Sequence, residues 1–173
     1  MGQTTLYWTL LQHKQWALYM AATDQGLCYI GSQGATFDEL ANWSKRHFEG
    51  VKWVEDEAAC HTSEVMEYLD GQRTTFDLPI DLKGTSFQQQ VWKVVQDVPF
   101  GEIVSYSDIA QRLGRPSAVR AVGRAIGANP VLFIVPCHRI LAKNGSLTGF
   151  RGGLPMKEQL LRLEGIVQYS SYM

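Results

Sequence analysis

The sequence has few cysteines and no long apolar run, and each absence excludes a class of protein. Its three cysteines, Cys28, Cys60 and Cys137, are an odd number and form no C-x-x-C pair, which argues against a disulfide framework. No apolar stretch approaches the length of about 18 residues that a membrane span needs, and the N-terminus lacks the pattern of a signal peptide. We therefore expect a cytoplasmic protein that does not bind membranes and that has at least one free thiol.

The composition indicates a folded protein whose two halves differ in charge. The chain has 173 residues, of which 45% are hydrophobic and 19% charged, so one domain or two small ones are expected. Residues 1–84 carry a net charge of −6 and residues 85–173 one of +5. A basic half is typical of a module that binds a polyanion, although two ordinary solvated surfaces would give the same asymmetry.

The first half predicts an α+β domain with a small antiparallel sheet. Short apolar and aromatic runs at 6–11, 16–22 and 26–30 are separated by turn signals and predict three strands. Thr36-Phe37-Asp38-Glu39 matches a capping box that starts a helix, and a second helix is predicted for Thr62–Leu69. The segment 74–84 is interpreted as the connection between a first domain, residues 1–80, and a second, mostly helical domain, residues 81–173.

Residues 85–127 predict three helices, the last two of which form a helix-turn-helix. A second capping box, Thr85 to Gln88, starts a helix that runs to Asp97. A helix at 105–114, a turn at 115–117 and a helix at 118–127 then follow, and two short helices around a tight turn form this motif.

The second helix of this motif combines small residues with two arginines on one face. Arg120 and Arg124 are four residues apart, an arrangement that suits phosphates. Gly123 costs about 1 kcal/mol relative to alanine in a helix interior, which close approach to another surface would explain. So thin a helix fits the minor groove of DNA, although tight packing between helices also favours small residues.

A candidate nucleophile follows this motif. The apolar run 131–135 predicts a buried strand that ends at Pro136-Cys137-His138-Arg139. A thiolate is stabilised near an imidazole or an arginine, so Cys137 is a candidate nucleophile. A structural buried thiol and a core histidine are the alternatives that this spacing leaves open.

These motifs, in this order, resemble those of the O6-alkylguanine-DNA alkyltransferases, also called methylated-DNA–protein-cysteine methyltransferases. The family signature is Pro-Cys-His-Arg followed by an aliphatic residue, here Ile140. The resemblance runs from about residue 84 to residue 165 and includes Tyr106, Arg120-Ala-Val-Gly, Asn129-Pro130 and the pair Glu164-Gly165. It implies a ribonuclease H-like first domain and a second domain that holds the helix-turn-helix and the active-site cysteine.

The resemblance also implies catalytic roles. Cys137 would accept the alkyl group, His138 would act on the thiol through a water, and Glu164 would hold the histidine. Asn129 would be the hinge between the helix-turn-helix and the active-site strand. Tyr106 would push on the 3′ phosphate of the target nucleotide and donate a hydrogen bond to the purine.

DNA contacts and pocket residues are implied in the same way. Arg120 would enter the base stack and fill the space of a flipped nucleotide. The other implied DNA-binding residues flank it or the active site: Tyr106, Ala118, Ala121, Gly123, Arg124 and Arg139. The implied substrate pocket consists of Pro136, Ile140, Phe150 and Arg151. Phe150 stands where many relatives have tyrosine and Arg151 where they have a small residue, so the accepted size of alkyl group stays open.

The implied function is direct reversal of O6-alkylguanine damage in duplex DNA by a monomer, with O4-alkylthymine as a second candidate substrate. The nucleotide would be flipped out through the minor groove, and the thioether formed on the protein would limit each molecule to one turnover. No cofactor and no metal are expected, since Cys28, Cys60, His13, His47 and His61 do not match the zinc site of vertebrate relatives. A helix-turn-helix regulator with a structural Cys137, and a cysteine hydrolase using Cys137 and His138, are the competing hypotheses.

Overall fold

A four-stranded mixed sheet forms the base of the first unit. The computed structural model describes residues 2–167 and 169, and the chain divides into two compact units, Met1–Gly84 and Thr85–Met173. The strands are β1 (Thr4–His13), β2 (Trp16–Thr23), β3 (Gly26–Ile30) and β4 (Val51–Glu55), in the order β3-β2-β1-β4. The first three pair antiparallel, as predicted, whereas β4 pairs parallel with β1. β4 is not predicted from the sequence; it is a five-residue strand with charged residues at its exposed positions.

Two helices complete this unit, α1 (Phe37–His47) and α2 (Thr62–Leu69), with a short 3-10 helix, Ala58–Cys60, before α2. The capping box predicted at Thr36 is wrong, because the Thr36 side chain makes no cap hydrogen bond. Glu39 instead accepts hydrogen bonds from the Tyr29 hydroxyl and the Ser32 amide, both at 2.8 Å. The carboxylate therefore ties α1 to the end of β3 rather than to its own N-terminus.

The boundary of the first unit lies a few residues beyond the predicted one. The Leu27 amide donates to Pro79 O at 2.9 Å, and the Asp81 amide donates to Leu27 O at 2.8 Å. These bonds hold the connecting segment against β3, so it belongs to the first unit. None of the helices in the described part of the chain has the length and apolar character that crossing a bilayer requires.

The second unit is mostly helical. Its helices are α3 (Ser86–Gln96), α4 (Tyr106–Arg112), α5 (Val119–Gly127) and α6 (Leu154–Leu163), and β5 (Val104–Ser105) pairs parallel with β6 (Ile140–Leu141). The capping box at Thr85 and Gln88 is confirmed, with both reciprocal bonds formed. Trp92 of α3 donates from its indole nitrogen to Ala125 O at 2.8 Å and so fixes α5 against α3.

The buried strand predicted for 131–135 is wrong; this segment is a buried turn. Phe133 has a φ of +55°, and the Val135 amide donates to Val131 O at 3.0 Å across the turn. The apolar run marks burial correctly, but periodicity alone does not distinguish a strand from other buried backbone. Buried backbone groups need partners, and this segment finds them within itself and at Asn129.

Candidate active site

Asn129 builds the turn that presents the cysteine. Its side chain is fully buried; Nδ2 donates to Val135 O at 2.8 Å, and Oδ1 accepts from the Val131 amide at 2.9 Å. The same side chain forms a hydrogen bond with Cys137 that acts to lower the pKa of the thiol. One amide group therefore connects the end of α5 with the turn and with the sulfur.

Cys137 opens a short 3-10 helix, Cys137–Arg139, and is 1% exposed. Burial raises the pKa of the thiol to about 12, against the opposing effects of the Asn129 hydrogen bond and of the Lys157 and Arg151 charges. Desolvation outweighs the effects of the nearby cations, which favours a neutral thiol at neutral pH. Nucleophilic attack requires a group that takes the proton.

His138 is the imidazole beside this thiol in the chain, and it is completely buried. Its Nε2 lies 2.6 Å from Glu164 Oε2, so the carboxylate is engaged through Nε2 and not through Nδ1. Burial lowers the pKa of His138, while the bond to Glu164 acts to raise it. The histidine is consequently neutral at neutral pH and able to accept a proton.

Arg139 does not lie where the sequence analysis places it. It is 6% exposed, and its Nε and Nη2 donate to the two oxygens of Glu164 at 2.8 and 2.9 Å. Its Nη1 donates to Val98 O at 2.6 Å, and the Gly101 amide adds a further bond to Glu164 Oε1 at 3.1 Å. We correct its assignment from DNA binding to the support of Glu164, because a buried, bidentate guanidinium cannot contact a phosphate.

A cavity of about 460 Å³ lies between α4, α5 and the 148–151 segment. Its walls are Tyr106, Gly123, Gly127, Thr148, Gly149, Phe150 and Arg151. Of the four implied pocket residues, Phe150 and Arg151 line it, whereas Pro136 and Ile140 are buried outside its lining. The volume falls within the range of small-molecule sites.

Tyr106 projects its phenol into this cavity. The Thr148 hydroxyl donates to the Tyr106 oxygen at 3.1 Å, and burial raises the pKa of Tyr106. The negative charge of an ionised Cys137 would raise it further, which also indicates that the two side chains are close. The phenol therefore keeps its proton at neutral pH and can donate it to a bound molecule.

The outer face of α5 carries both arginines. Arg120 and Arg124 are exposed, whereas Val122, Ala125 and Ile126 are buried. A Cβ atom at Gly123 would meet only Tyr106 Cδ1, at 4.0 Å, so packing within the unit does not require glycine there. Ala118 and Ala121 are half-buried at the start of the same helix.

Lys157 belongs to the motifs that carry the family resemblance, but the sequence alone gives it no role in the site. It is fully buried in α6, and its Nζ donates to Ile140 O at 2.7 Å and to Thr148 O at 2.9 Å. Burial lowers the pKa of Lys157 to about 8, and the ammonium lies 6.0 Å from the centroid of the Tyr106 ring. Its helical spacing from the buried pair Leu160 and Leu161 is the signal that could have revealed it.

Two family models match the chain. The model described as 6-O-methylguanine DNA methyltransferase, ribonuclease-like domain, matches residues 6–82. The model described as 6-O-methylguanine DNA methyltransferase, DNA binding domain, matches residues 86–166. Together the two matches cover most of the chain.

Similar proteins match over nearly their full lengths. The inducible methylated-DNA–protein-cysteine methyltransferase of Bacillus subtilis is 50% identical over 165 residues, which are 94% of this chain and 92% of that protein. The crystal structure of O6-methylguanine methyltransferase from Mycobacterium tuberculosis has a TM-score of 0.78 and 35% identity over 92% of each chain. The structure of the Mycobacterium tuberculosis protein OGT in complex with DNA gives 0.76 and 36%, again over 92% of each chain.

Proposed function

The chain belongs to the 6-O-methylguanine DNA methyltransferase family, and we propose that it repairs O6-alkylguanine in duplex DNA by transferring the alkyl group to its own Cys137. The observation that carries this assignment is the buried His138–Glu164 pair directly after Cys137, together with the bond from Asn129 to Cys137 and the bond from the cavity-lining Arg151 to Asn129 O. The proposal includes a cytoplasmic location, because DNA is the substrate.

The proposed reaction is a single displacement at the alkyl carbon. The thiol proton passes to His138 Nδ1, directly or through a water, and the imidazolium is stabilised by the Glu164 carboxylate. The sulfur forms a bond to the alkyl carbon as the bond from carbon to O6 breaks, and the electron pair of that bond stays with the guanine. The product is a thioether, which does not release its alkyl group, so each molecule reacts once.

The guanine leaves as an anion, and Tyr106 is placed to neutralise it. A protonated phenol lines the cavity, so it can donate a hydrogen bond or a proton to the purine ring as negative charge develops there. The proton taken up by His138 balances the reaction once it reaches the departing base. Lys157 Nζ lies 6.0 Å from the centroid of the Tyr106 ring and supplies a positive charge at neutral pH.

Arg120 is proposed to stabilise the flipped state of the DNA. Changing Arg120 to alanine is expected to slow transfer from duplex DNA by about tenfold to a hundredfold, since flipping costs a few kcal/mol, and to spare single-stranded substrate. Arg124→Ala removes the same charge one turn away. It should weaken binding and lower the salt dependence without changing the ratio of duplex to single-strand rates. Equal effects of both variants on that ratio would remove Arg120 from this role.

His138 is proposed to be the proton acceptor, which predicts a pH signature. In His138→Gln the thiol must ionise without help, and its pKa of about 12 lies far above neutral pH. The thiolate fraction, and with it the variant's rate, should rise about tenfold per pH unit below that pKa. Because the pKa of His138 is lowered, the imidazole of the parent protein is already neutral at pH 7, and its protonation state does not change between pH 7 and pH 9. The ratio of wild-type to variant rates should therefore fall steadily from pH 7 to pH 9; a constant ratio would contradict the relay.

Stoichiometry tests the proposed function against its two rivals. Incubation with excess O6-methylguanine duplex should remove one methyl group per protein molecule and then stop. A regulator would bind its operator without any transfer. A hydrolase would show many turnovers on an ester or amide.

A further inference from the structure

Arg151 joins the wall of the cavity to the segment that carries the nucleophile. Its Nε donates to Asn129 O at 2.7 Å, and its Nη2 donates to Pro130 O at 3.2 Å. The planar guanidinium thus spans two successive backbone carbonyls. Asn129 in turn binds both ends of the buried turn and Cys137, so Arg151 is attached to the residue that holds the nucleophile in place.

The other end of the wall has its own anchors. The Lys157 ammonium binds Thr148 O at 2.9 Å, and the Thr148 hydroxyl binds the Tyr106 oxygen at 3.1 Å. Between the two anchored ends, Gly149 is exposed, and a Cβ atom there would have no neighbour within 4 Å. The middle of the wall is held by the bond of 3.5 Å that the Tyr106 hydroxyl donates to Gly149 O, as well as by the two anchored ends.

We propose that Arg151 is a specificity-determining residue, which limits the size of the alkyl group by clamping the 148–151 wall to the backbone of Asn129 and Pro130. The inference rests on the proposed function. The cavity of about 460 Å³ must hold the flipped base together with its substituent. A wall that is fixed at both ends excludes a bulky substituent, while a wall that is released at one end can move outwards.

The clamp depends on the shape of the side chain as well as on its charge. A guanidinium presents several N–H donors in a rigid plane and can bind two carbonyls at once, whereas an ammonium acts as a compact point charge on a flexible stem. Lysine at position 151 would keep the charge and much of the length but would lose the two-carbonyl geometry. Serine would remove charge, length and clamp together.

The test compares two substrates that differ only in the size of the adduct. Single-turnover rates are measured for one duplex carrying either O6-methylguanine or O6-benzylguanine, with the parent protein, Arg151→Ser and Arg151→Lys. Arg162→Ser is the matched control, because Arg162 is an exposed arginine of α6 that pairs with Glu158. Thermal unfolding of each variant establishes that it is folded.

We expect the ratio of the benzyl-transfer rate to the methyl-transfer rate to rise about tenfold or more in both Arg151 variants, which is the size of effect that pocket dimensions produce. The same ratio should stay unchanged in Arg162→Ser. An unchanged ratio in a folded Arg151 variant would overturn the proposal. So would a rise in Arg151→Ser alone, since side-chain volume rather than the clamp would then set the limit. If Arg151→Ser does not fold, Arg151→Lys decides. A parent protein that transfers no methyl group would instead refute the proposed function.

Discussion

Replacing Cys137 by alanine is expected to abolish alkyl transfer and to leave the affinity for DNA nearly unchanged. The sulfur forms the new bond, and alanine has no atom that could form a bond in its place. The proposed DNA-binding face lies on α5, where Arg120 and Arg124 are exposed, while Cys137 is buried. Transfer is measured with a radiolabelled O6-methylguanine duplex, and affinity by fluorescence anisotropy.

The other two cysteines provide matched controls for this experiment. Cys28 and Cys60 are buried in the first unit, where burial raises the pKa of each thiol, that of Cys60 to about 12. Cys28→Ala and Cys60→Ala should therefore keep the full stoichiometry of transfer. Residual transfer in Cys137→Ala, or its loss in a folded Cys60→Ala, would show that the acceptor has been misassigned.

Replacing Glu164 by glutamine is expected to have the largest effect on stability, a loss of about 3–5 kcal/mol in the free energy of unfolding, because it leaves the Arg139 charge buried without its carboxylate. Transfer should also slow, by about a hundredfold, since His138 loses the anion that stabilises its imidazolium. Urea denaturation measures the first effect, and single-turnover kinetics with folded protein measure the second.

A double variant separates these two roles of Glu164. Arg139→Met combined with Glu164→Leu removes both buried charges and should recover part of the lost stability. Transfer should stay slow, because His138 still lacks its carboxylate. Glu158→Gln is the control: Glu158 forms a surface pair with Arg162 on α6, a type of pair that contributes about 0–1 kcal/mol. If the double variant regained transfer, the role of Glu164 would be structural only.

Local sequence signals predict much of the fold and of the site. The capping box at Thr85 fixes the start of α3 because its two bonds depend on residues only three apart. The family expected from the motif around Cys137 is confirmed by the matches over both halves of the chain. Arg120 and Arg124 share an exposed face because helical periodicity alone determines it.

Long-range contacts explain what the sequence does not predict. Glu39 does not form the expected capping bond and instead accepts hydrogen bonds from residues of the preceding segment. Arg139 stands beside a histidine in the chain, but its position depends on Glu164, which is 25 residues away. Arg151 and Lys157 act through backbone carbonyls. Every residue has such a carbonyl, so these contacts cannot be predicted from residue identities.

Peptide mass spectrometry after reaction with an O6-methylguanine duplex tests most directly whether the alkyl group is transferred to the sulfur of Cys137. The account predicts that the peptide containing Cys137 gains one methyl group in place of a hydrogen, in proportion to the DNA repaired, and that peptides containing Cys28 or Cys60 gain none. Repair of the DNA with an unmodified Cys137 peptide would contradict it.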